Sequence, residues 1–351
     1  MTITSTLRLS LCSVAIGAIS TLGLIGCSDA TNTAATDENA TADSDKPAKT
    51  LAITQIVEHP SLDDMRRGII DELSDNGYVE GQNLTVNFQS AQGNTATAGQ
   101  IAKQFAGDNP DAIVAISTPS AQSVVASTNT VPVIYTAISD PVAAKLINDD
   151  NVPIQDNVTG LSSQLPIEPQ LDNIQKIAPD ATTIGYVYSP GEVNSVVVLN
   201  QLKAAAPARG LEILDVTANR PTDVAMATRS LSGRADVIYT SLDNNVVSAF
   251  EAMAGAANEL DIPVIASDEF SVRRGATAAL GVNDYDFGRT TGKMVYRVLS
   301  GEAVNTISPE VMNTLTLYAS PTHAAEQGVS LSNELLENAI NVDNEAQAAN
   351  E

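Results

Sequence analysis

The sequence predicts an α/β protein made of two doubly wound, parallel-sheet lobes that are joined by crossing strands. Strand-like and helix-like segments alternate at the spacing of βαβ units, which is typical of parallel sheets with right-handed connections. Several of the strand-like segments are apolar throughout, as expected where helices cover both faces of a sheet. The alternation occurs as two successive series, each the size of a single lobe. These three observations together predict the fold class.

The first series begins with a predicted strand over 51–57 and a helix that starts at Ser61. Asp64 stands three residues after Ser61, in the spacing of a capping box. One apolar face of this helix is formed by Leu62, Met65, Ile69 and Leu73, and Gly77 ends it. The following predicted elements are a strand at 84–88, a helix around 101–105, a strand at 112–116, a short helix and a strand at 131–137.

The second series predicts four strands and four helices. The helices are at 167–177, 193–208, 222–231 and 246–260, and the strands at 183–188, 211–216, 237–241 and 263–266. Residues 157–160 lack linker composition, so we expect ordered strands to join the lobes there. We place lobe 1 at 51–157 plus about 268–305, and lobe 2 at 158–267 plus about 306–340.

The N-terminal region indicates export. Residues 9–27 form an apolar run that closes on Leu24-Ile25-Gly26-Cys27, the form of a bacterial lipoprotein cleavage site. The run is shorter than the about 20 uninterrupted apolar residues of a membrane span, and polar sequence follows it. We therefore expect a signal peptide over 1–26 and lipidation of Cys27, which gives lasting attachment when several acyl chains are present. An ordinary secretory signal with a chance cysteine is the alternative.

Two segments of polar composition flank the predicted lobes. Residues 27–50 and 341–351 are polar and lack apolar periodicity, so they cannot bury enough surface to offset the entropy of ordering. We interpret the first as a flexible tether and the second as a disordered tail.

Composition excludes several classes of function. The formal charge is −24, which would repel nucleic acid, and we interpret the acidic residues as a solvated surface. Cys12 and Cys27 are the two cysteines, so the mature chain has no disulfide, no thiolate metal site and no cysteine nucleophile. The two histidines, His59 and His323, stand without a phosphate loop, a nucleophile motif or a metal-ligand cluster. We therefore expect a binding protein without metal or cofactor, not an enzyme.

Candidate ligand contacts follow from the ends of the predicted strands. Ligands of open parallel sheets bind beyond the carboxyl ends of the strands, where helix N-termini offer N–H groups. The candidates at these ends are Thr118, Pro119, Ser120, Gln122, Thr136, Ser139, Asp140, Tyr188, Asp243 and Asp268. We expect Thr118, Ser120 and Thr136 to hold a carboxylate and Asp243 to pair with an ammonium group, with Tyr188 and Tyr135 as aromatic walls. For each residue a purely structural role as a helix cap or in packing is the alternative.

Short motifs occur in a fixed order along residues 51–340. They are 55–60 (QIVEHP), 117–122 (STPSAQ), 135–141 (YTAISDP), 157–160 (NVTG), 243–244 (DN), 262–268 (IPVIASD) and 288–292 (GRTTG). In this order they resemble the substrate-binding lipoproteins of ABC import systems, in the family that includes tryptophan- and tyrosine-type binding proteins. Two residues depart from the family pattern: Ser189 stands where Asn is expected, and Asn283 where Asp is expected.

The resemblance implies a type I periplasmic-binding fold with three crossing segments between the lobes. It also implies an aromatic amino acid as ligand, an ABC permease and ATPase as partners, and a lipid-anchored monomer in the cell envelope. Two other binding functions remain open. One is a tethered sensor that reports to a membrane receptor, and the other is a sugar or nucleoside binder, although the absence of Trp and only 4% aromatic residues weaken the sugar alternative.

Overall fold

The computed structural model of the chain describes residues 43, 45–163 and 165–344. The predicted signal peptide, Cys27 and most of the predicted tether lie outside the described residues, as do residues 345–351. Between these limits the chain forms two sheets, and each sheet has its own apolar core.

The first sheet has six strands, all parallel, and helices on both sides. Its elements are β1 (Lys49–Gln55), α1 (Pro60–Asp75), β2 (Leu84–Ser90), α2 (Thr95–Asp108), β3 (Ala112–Ile116), α3 (Thr118–Val125), β4 (Val133–Ile138), β5 (Val158–Ser162), α10 (Asp284–Leu299), a 3₁₀ turn (Val304–Thr306) and β11 (Glu310–Val311). The strand order is β11-β5-β4-β3-β1-β2. We call this sheet with its helices lobe 1.

The second sheet has seven strands in the order β13-β12-β10-β9-β8-β6-β7, and only the β10–β12 pair is antiparallel. We call this sheet with its helices lobe 2. Its elements are α4 (Ile167–Ile177), β6 (Thr183–Tyr188), α5 (Val193–Ala205), 3₁₀ turns (Ala206–Arg209 and Pro221–Asp223), β7 (Glu212–Thr217), α6 (Val224–Arg229), β8 (Val237–Tyr239), α7 (Asn244–Ser248), α8 (Phe250–Asn258), β9 (Val264–Ala266), α9 (Glu269–Arg273), β10 (Ala278–Gly281), β12 (Thr316–Ala319), α11 (Pro321–Glu326), α12 (Asn333–Glu337) and β13 (Ile340–Asn341).

This architecture confirms the predicted fold class. Neighbouring residues of the lobe 2 strands, such as Ile238 and Tyr239, belong to different apolar clusters because successive side chains point to opposite faces of a sheet. The chain passes between the sheets three times, after β5, after β10 and after β11, as the family resemblance implies.

The lobe boundaries differ from the predicted ones. Residues 158–162 form β5, which pairs with β4 in lobe 1, so residues 157–160 are not a connection between lobes. A Cβ at Gly160 would lie 2.2 Å from the Tyr135 carbonyl oxygen, which shows how closely the two strands approach. In the other direction, α9 and β10 belong to lobe 2, whereas residues 310–311 belong to lobe 1. Apolar strands of either sheet look alike in sequence, so periodicity did not identify the sheet to which each strand belongs.

Among the described residues, strands extend into both segments that were predicted to be flexible, the tether and the tail. Strand β1 begins at Lys49, and the last strand contains Asn341. Val342 is buried, and the Asp343 carboxylate accepts hydrogen bonds from Ser320 and Thr322. These contacts anchor residues 341–343 to lobe 2.

Two predicted helix caps lie one or two residues too late. Helix α1 begins at Pro60 with His59 as its N-cap, so Ser61 is not the cap. Helix α3 begins at Thr118 with Ser117 in the cap position, and no side-chain hydrogen bond caps this helix. Proline is well tolerated in the first turn of a helix, so each of these caps lies just upstream of a proline.

Helices α1 and α10 of lobe 1 pack with their backbones nearly in contact. A Cβ at Gly288 would lie 2.1 Å from the Met65 carbonyl oxygen, and a Cβ at Gly68 would lie 2.4 Å from the Tyr285 carbonyl oxygen. Arg289 adds ion pairs to Glu72 at 2.8 Å and Asp75 at 2.6 Å. This contact fixes the direction in which the N-terminus of α10 points.

Candidate functional site

A cavity lies between the two lobes, at the carboxyl ends of strands from both sheets. It comprises about 470 Å³ of empty space, a volume that includes the part open to solvent. Its lining residues are His59, Ser61, Leu62, Met65, Ser117, Thr118, Ala137 and Ser139 of lobe 1, Asn194, Leu242, Asn244 and Val247 of lobe 2, and Asp284 at the start of α10.

The apolar part of the lining is aliphatic. Leu62 and Met65 come from the buried face of α1, and Leu242 and Val247 come from the segment around α7 in lobe 2. These four side chains offer an apolar surface to a ligand that reaches both lobes. An apolar ligand group placed there would gain about 25 cal/mol for each Å² removed from water.

Lobe 1 contributes a polar edge at the ends of β3 and β4. Ser117 and Ala137 both have positive φ angles, 77° and 57°, which non-glycine residues rarely adopt. Such strain is concentrated at functional sites and costs about 1–3 kcal/mol for each residue. The Ser117 hydroxyl is buried and has no hydrogen-bond partner within the described part of the chain. Because the first N–H groups of a helix have no partner inside the helix, the start of α3 also presents donors here.

Lobe 2 contributes two amides that one carboxylate orients. Glu192 Oε2 accepts hydrogen bonds from Nδ2 of Asn194 at 3.3 Å and Nδ2 of Asn244 at 2.6 Å. Asn194 Nδ2 also donates to the Leu242 carbonyl at 3.0 Å, which leaves Asn194 Oδ1 buried without a partner among residues 43, 45–163 and 165–344. Burial and the nearby Asp243 raise the pKa of Glu192 to about 7. The amide nitrogens of Asn194 and Asn244 therefore point to Glu192. The amide oxygen of Asn194 remains a hydrogen-bond acceptor without a partner in the described structure.

Asp284 is the acidic residue of the lining. It is 5% exposed, and its Oδ2 atom has no hydrogen-bond partner in the described structure. Burial first, and the nearby Asp268, Glu269 and Asp64 in addition, raise the pKa of Asp284 well above its usual range. The cavity wall therefore contains an acidic side chain whose surroundings disfavour its charged form.

Two hydrogen bonds join the lobes beside the cavity. Ser61 Oγ donates to Asp268 Oδ1 at 3.2 Å, and Arg274 Nη1 donates to His59 Nε2 at 2.7 Å. A guanidinium group can only donate, so Nε2 of His59 is the unprotonated acceptor of this bond. Burial, with a contribution from Arg274, lowers the pKa of His59 in agreement with this state. His59, whose role the sequence left open, is thus both a cavity residue and a contact between the lobes.

The predicted site residues lie at different distances from this cavity. Thr118 and Ser139 line it. Pro119 lies in an adjoining depression with Glu192 and Asn244, and Asp140 lies in another with Ser139 and Leu242. The Ser120 hydroxyl is buried and has no hydrogen-bond partner in the region that the structure describes, but Ser120 is not a lining residue.

The remaining predicted contacts are occupied within the protein. Gln122 Nε2 donates to the Ala144 carbonyl, the hydroxyls of Thr136 and Thr291 lie 2.7 Å apart, and Tyr188 stacks on Tyr186. Asp268 caps α9 and accepts two hydrogen bonds from Ser271 as well as the one from Ser61. Tyr135 is fully buried inside the first sheet and forms no wall of the cavity.

Asp243 requires a correction of its predicted role. Its side chain is 0% exposed, and its two oxygens accept five hydrogen bonds. The donors are the Ser189 N–H and hydroxyl, the Ser195 hydroxyl, and the N–H groups of Asn245 and Val246. Both carboxylate oxygens are therefore used to cap α7 and to join it to the end of β6, and Asp243 does not face the cavity.

Four polar residues that line the cavity were not among the predicted ligand contacts: Ser61, Asn194, Asn244 and Asp284. Asp284 was the easiest of these to predict. It begins a helix directly after β10, so the rule that ligands bind at strand ends would select it. Strand β10 is only four residues long, and it was not recognised in the sequence. Asn194 lies inside the first turn of α5, and only its hydrogen bonds to Glu192 and Leu242 show that its oxygen is free of other partners.

Metal-binding clusters and membrane-spanning helices were sought among the described residues. No group of three or more His, Cys, Asp or Glu side chains in residues 43, 45–163 and 165–344 could hold a metal ion. Over the same ranges, the helices are too short or too polar to cross a membrane.

Comparison with known proteins relates the chain to one family. A family model described as ABC transporter substrate binding protein matches residues 50–343. A tyrosine-binding protein of Clostridioides difficile (strain R20291) is 39% identical over 284 residues, which cover 81% of this chain and 82% of that protein.

Solved structures give the same result. A Streptococcus pneumonia ABC domain in complex with L-Trp is 29% identical, with a TM-score of 0.79 over 83% of this chain and 98% of that one. The ligand-free, open structure of a substrate binding protein with adhesive properties from Clostridium difficile is 36% identical, with a TM-score of 0.64 over the same shares. The arrangement described here is thus more similar to the L-Trp complex than to the open structure, although its sequence is closer to that of the latter.

Proposed function

The chain belongs to the family of ABC transporter substrate-binding proteins, and we propose that it captures an aromatic amino acid between its two lobes for an ABC importer. The observation that carries the proposal is the composition of the interlobe cavity. Aliphatic side chains form its apolar surface, hydrogen-bond donors from Ser117 and the start of α3 lie on the lobe 1 side, and acceptors from Asn194 and Asp284 lie elsewhere on the wall. An α-amino acid with an apolar side chain has the complementary groups.

Each end of such a ligand has a chemical counterpart in the cavity. The carboxylate would accept hydrogen bonds from the Ser117 and Thr118 hydroxyls and from N–H groups at the start of α3, where the helix dipole favours negative charge. The side chain would contact Leu62, Met65 and Val247. Burial of a zwitterion is tolerated only where both charges find partners, so a cavity with donors and acceptors favours this ligand class.

The aromatic character of the ligand is supported by the relatives. One is named a tyrosine-binding protein, and another was solved in complex with L-Trp. The apolar side chains that line the cavity are aliphatic, so an aromatic ring would be held against them by shape and burial.

Binding is proposed to act through lobe closure. The Ser61–Asp268 and His59–Arg274 hydrogen bonds cross from lobe 1 to lobe 2 beside the cavity, so they exist only when the lobes are close together. Three connecting segments between the sheets provide the hinge. A ligand that contacts both lobes binds the closed form better, and it shifts the population by that difference in affinity.

The same proposal places the protein in the cell envelope, on the periplasmic face or at the cell surface, as a binder without catalytic activity. Lipidation of Cys27 would hold it at the membrane within reach of its permease, with residues 28–48 as the tether. A single lipid-anchored copy is sufficient for this task, since one chain supplies both sides of the cavity.

A thermal-shift screen of the purified protein in mild detergent tests the ligand class. We expect L-tyrosine or L-tryptophan to raise the melting temperature, because a ligand at 100 times its Kd stabilises the folded state by about 2.7 kcal/mol. Common sugars and nucleosides serve as controls and should leave the melting temperature unchanged. Stabilisation by a sugar or nucleoside, with no effect of any amino acid, would contradict the proposal.

A further inference from the structure

We propose that Asp284 is the carboxylate that receives the ammonium group of the ligand, and that it gives up its own proton as the ligand binds. This inference rests on the proposed function, because it assumes an amino acid in the interlobe cavity. It adds the group that selects for a cationic nitrogen, and it makes binding dependent on pH.

The geometry leaves the Asp284 carboxyl group available for a ligand. Asn283, not Asp284, caps α10, since its side chain accepts the hydrogen bond from the Asp286 N–H. Asp284 is 5% exposed and lines the cavity, and its Oδ2 atom is buried without a hydrogen-bond partner in the described ranges. Buried polar atoms are nearly always hydrogen-bonded in native proteins, so an unused oxygen in a cavity wall indicates a partner from outside the chain.

The charges around Asp284 favour a cation at this position. On α1 and its cap, Ser61 hydrogen-bonds to Asp284, His59 is neutral, and Asp64 pairs with Arg67 at 2.8 Å. On α9 and its cap, Asp268 is held by Ser61 and Ser271, and Glu269 pairs with Arg273 at 2.5 Å. On β12, the side chain of Tyr318, which is neutral, lies near Asp284 and Glu269. Arg274, the other basic group near the cavity, is bound to His59, Glu251 and the Val247 carbonyl.

These surroundings disfavour a negative charge on Asp284 in the free protein. Burial and the three acidic neighbours raise the pKa of Asp284 well above its usual range, because all of them disfavour its negative charge. An ammonium group reverses that preference, since an opposite charge within hydrogen-bond distance favours the carboxylate. The Oδ1 atom of Asn194, which Glu192 and Leu242 leave without another partner in the described chain, is a second acceptor in the same cavity.

The binding step is balanced in protons and charge. The O–H bond of the Asp284 carboxylic acid breaks, the electron pair stays on the oxygen, and the proton passes to solvent. The ligand ammonium keeps its three hydrogens and donates one of them to the new carboxylate. No oxidation or reduction takes place, and one proton is released for each ligand bound.

Calorimetric titration of the purified protein with L-tyrosine and L-tryptophan tests this step. At a single pH near 7, the titration is repeated in phosphate and in Tris, whose ionisation enthalpies differ. We expect the apparent binding enthalpy to differ between the buffers by an amount that corresponds to the release of nearly one proton. At pH values below the pKa of Asp284 in the free protein, the affinity should rise with pH, by up to tenfold for each unit.

The variant Asp284→Asn isolates the residue, because Asn replaces the neutral carboxylic acid with a group of the same shape. We expect it to lose about 30-fold or more in affinity for L-tyrosine and to bind without proton release. It should bind 3-(4-hydroxyphenyl)propionate, which lacks the ammonium group, as well as the unchanged protein does. Asp286→Asn is the matched control, since Asp286 is exposed in the same turn of α10, and it should leave both affinity and proton release unchanged.

The outcomes separate this inference from the proposed function. If no amino acid binds the unchanged protein, the proposed function fails. If an amino acid binds with the same apparent enthalpy in both buffers and with an affinity independent of pH, the release of a proton by Asp284 is overturned, and an unchanged affinity in Asp284→Asn overturns its contact with the ammonium group. Because Glu192 has a pKa of about 7 and also titrates in this range, the proton is assigned to Asp284 only if its release persists in Glu192→Gln, a variant that leaves Asp284 in place.

Discussion

Replacement of Gly288 by Ala is expected to destabilise lobe 1 by roughly 3 kcal/mol, because it forces apart two helices whose backbones touch. The added Cβ would lie 2.1 Å from the Met65 carbonyl oxygen, 2.8 Å from its carbonyl carbon and 2.8 Å from its Cα, so no side-chain rotation can relieve the overlap. Helix α10 would have to move off α1. Urea denaturation followed by circular dichroism measures the loss of stability.

The same movement should weaken ligand binding. Asp284 begins α10 and Met65 belongs to α1, and both line the cavity, so separation of these helices displaces two of its walls. Gly255→Ala is the matched control, since Gly255 lies on the exposed face of α8 and a Cβ there meets nothing within 4 Å. Removal of a helical glycine should stabilise that variant by about 0.5–1 kcal/mol. Equal stability of Gly288→Ala and the unchanged protein would contradict the close packing of α1 and α10.

Replacement of Asp243 by Ala is the second large effect that we expect, at about 3–5 kcal/mol of folding stability. The change removes the acceptor of five hydrogen bonds, of which the Ser189 hydroxyl retains a second acceptor, the Ala218 carbonyl at 3.0 Å, and each buried polar group left unpaired costs about 1–3 kcal/mol before the surroundings relax. The loss of the cap of α7 is part of this cost. Thermal and urea denaturation measure it.

Asn94→Ala provides the comparison for Asp243. Asn94 also caps a helix through two N–H groups, but it is exposed, so its replacement should cost only about 1 kcal/mol. Ligand affinity separates a structural role of Asp243 from the ammonium contact that the sequence suggested. Full stability of Asp243→Ala together with a large loss of affinity would restore the original interpretation and contradict the hydrogen-bond network described here.

Much of the fold could be predicted because its strands and helices have strong periodicity. The predicted helix 167–177 and strands 112–116 and 183–188 agree with α4, β3 and β6 to the residue. The assignment of strands to sheets failed where it depends on contacts between distant segments. The short strands β10 and β11 extend different sheets, and their four and two residues contain too little pattern to indicate which.

The cavity lies at the strand ends where the sequence placed a site, and two of the predicted residues line it. Strand ends selected Thr118 and Ser139 correctly as residues near the cavity, since the carboxyl edge of a parallel sheet is a general place for ligands. The same rule could not separate Asp243 from Asp284, because both are acidic residues at the start of a helix. One is used by five internal donors and the other has an oxygen without a partner in the described chain, and only the packed structure distinguishes them.

The central claim is that the interlobe cavity is the binding site, and blocking that cavity tests it most directly. Leu242 lines it and is partly exposed, so Leu242→Trp should fill the space without disturbing the core. Calorimetric titration with L-tyrosine and L-tryptophan should show one saturable site in the unchanged protein and no binding by the variant at the same concentrations, with equal melting temperatures in the absence of ligand. Undiminished affinity in Leu242→Trp would contradict the account, because the ligand would then have to bind elsewhere.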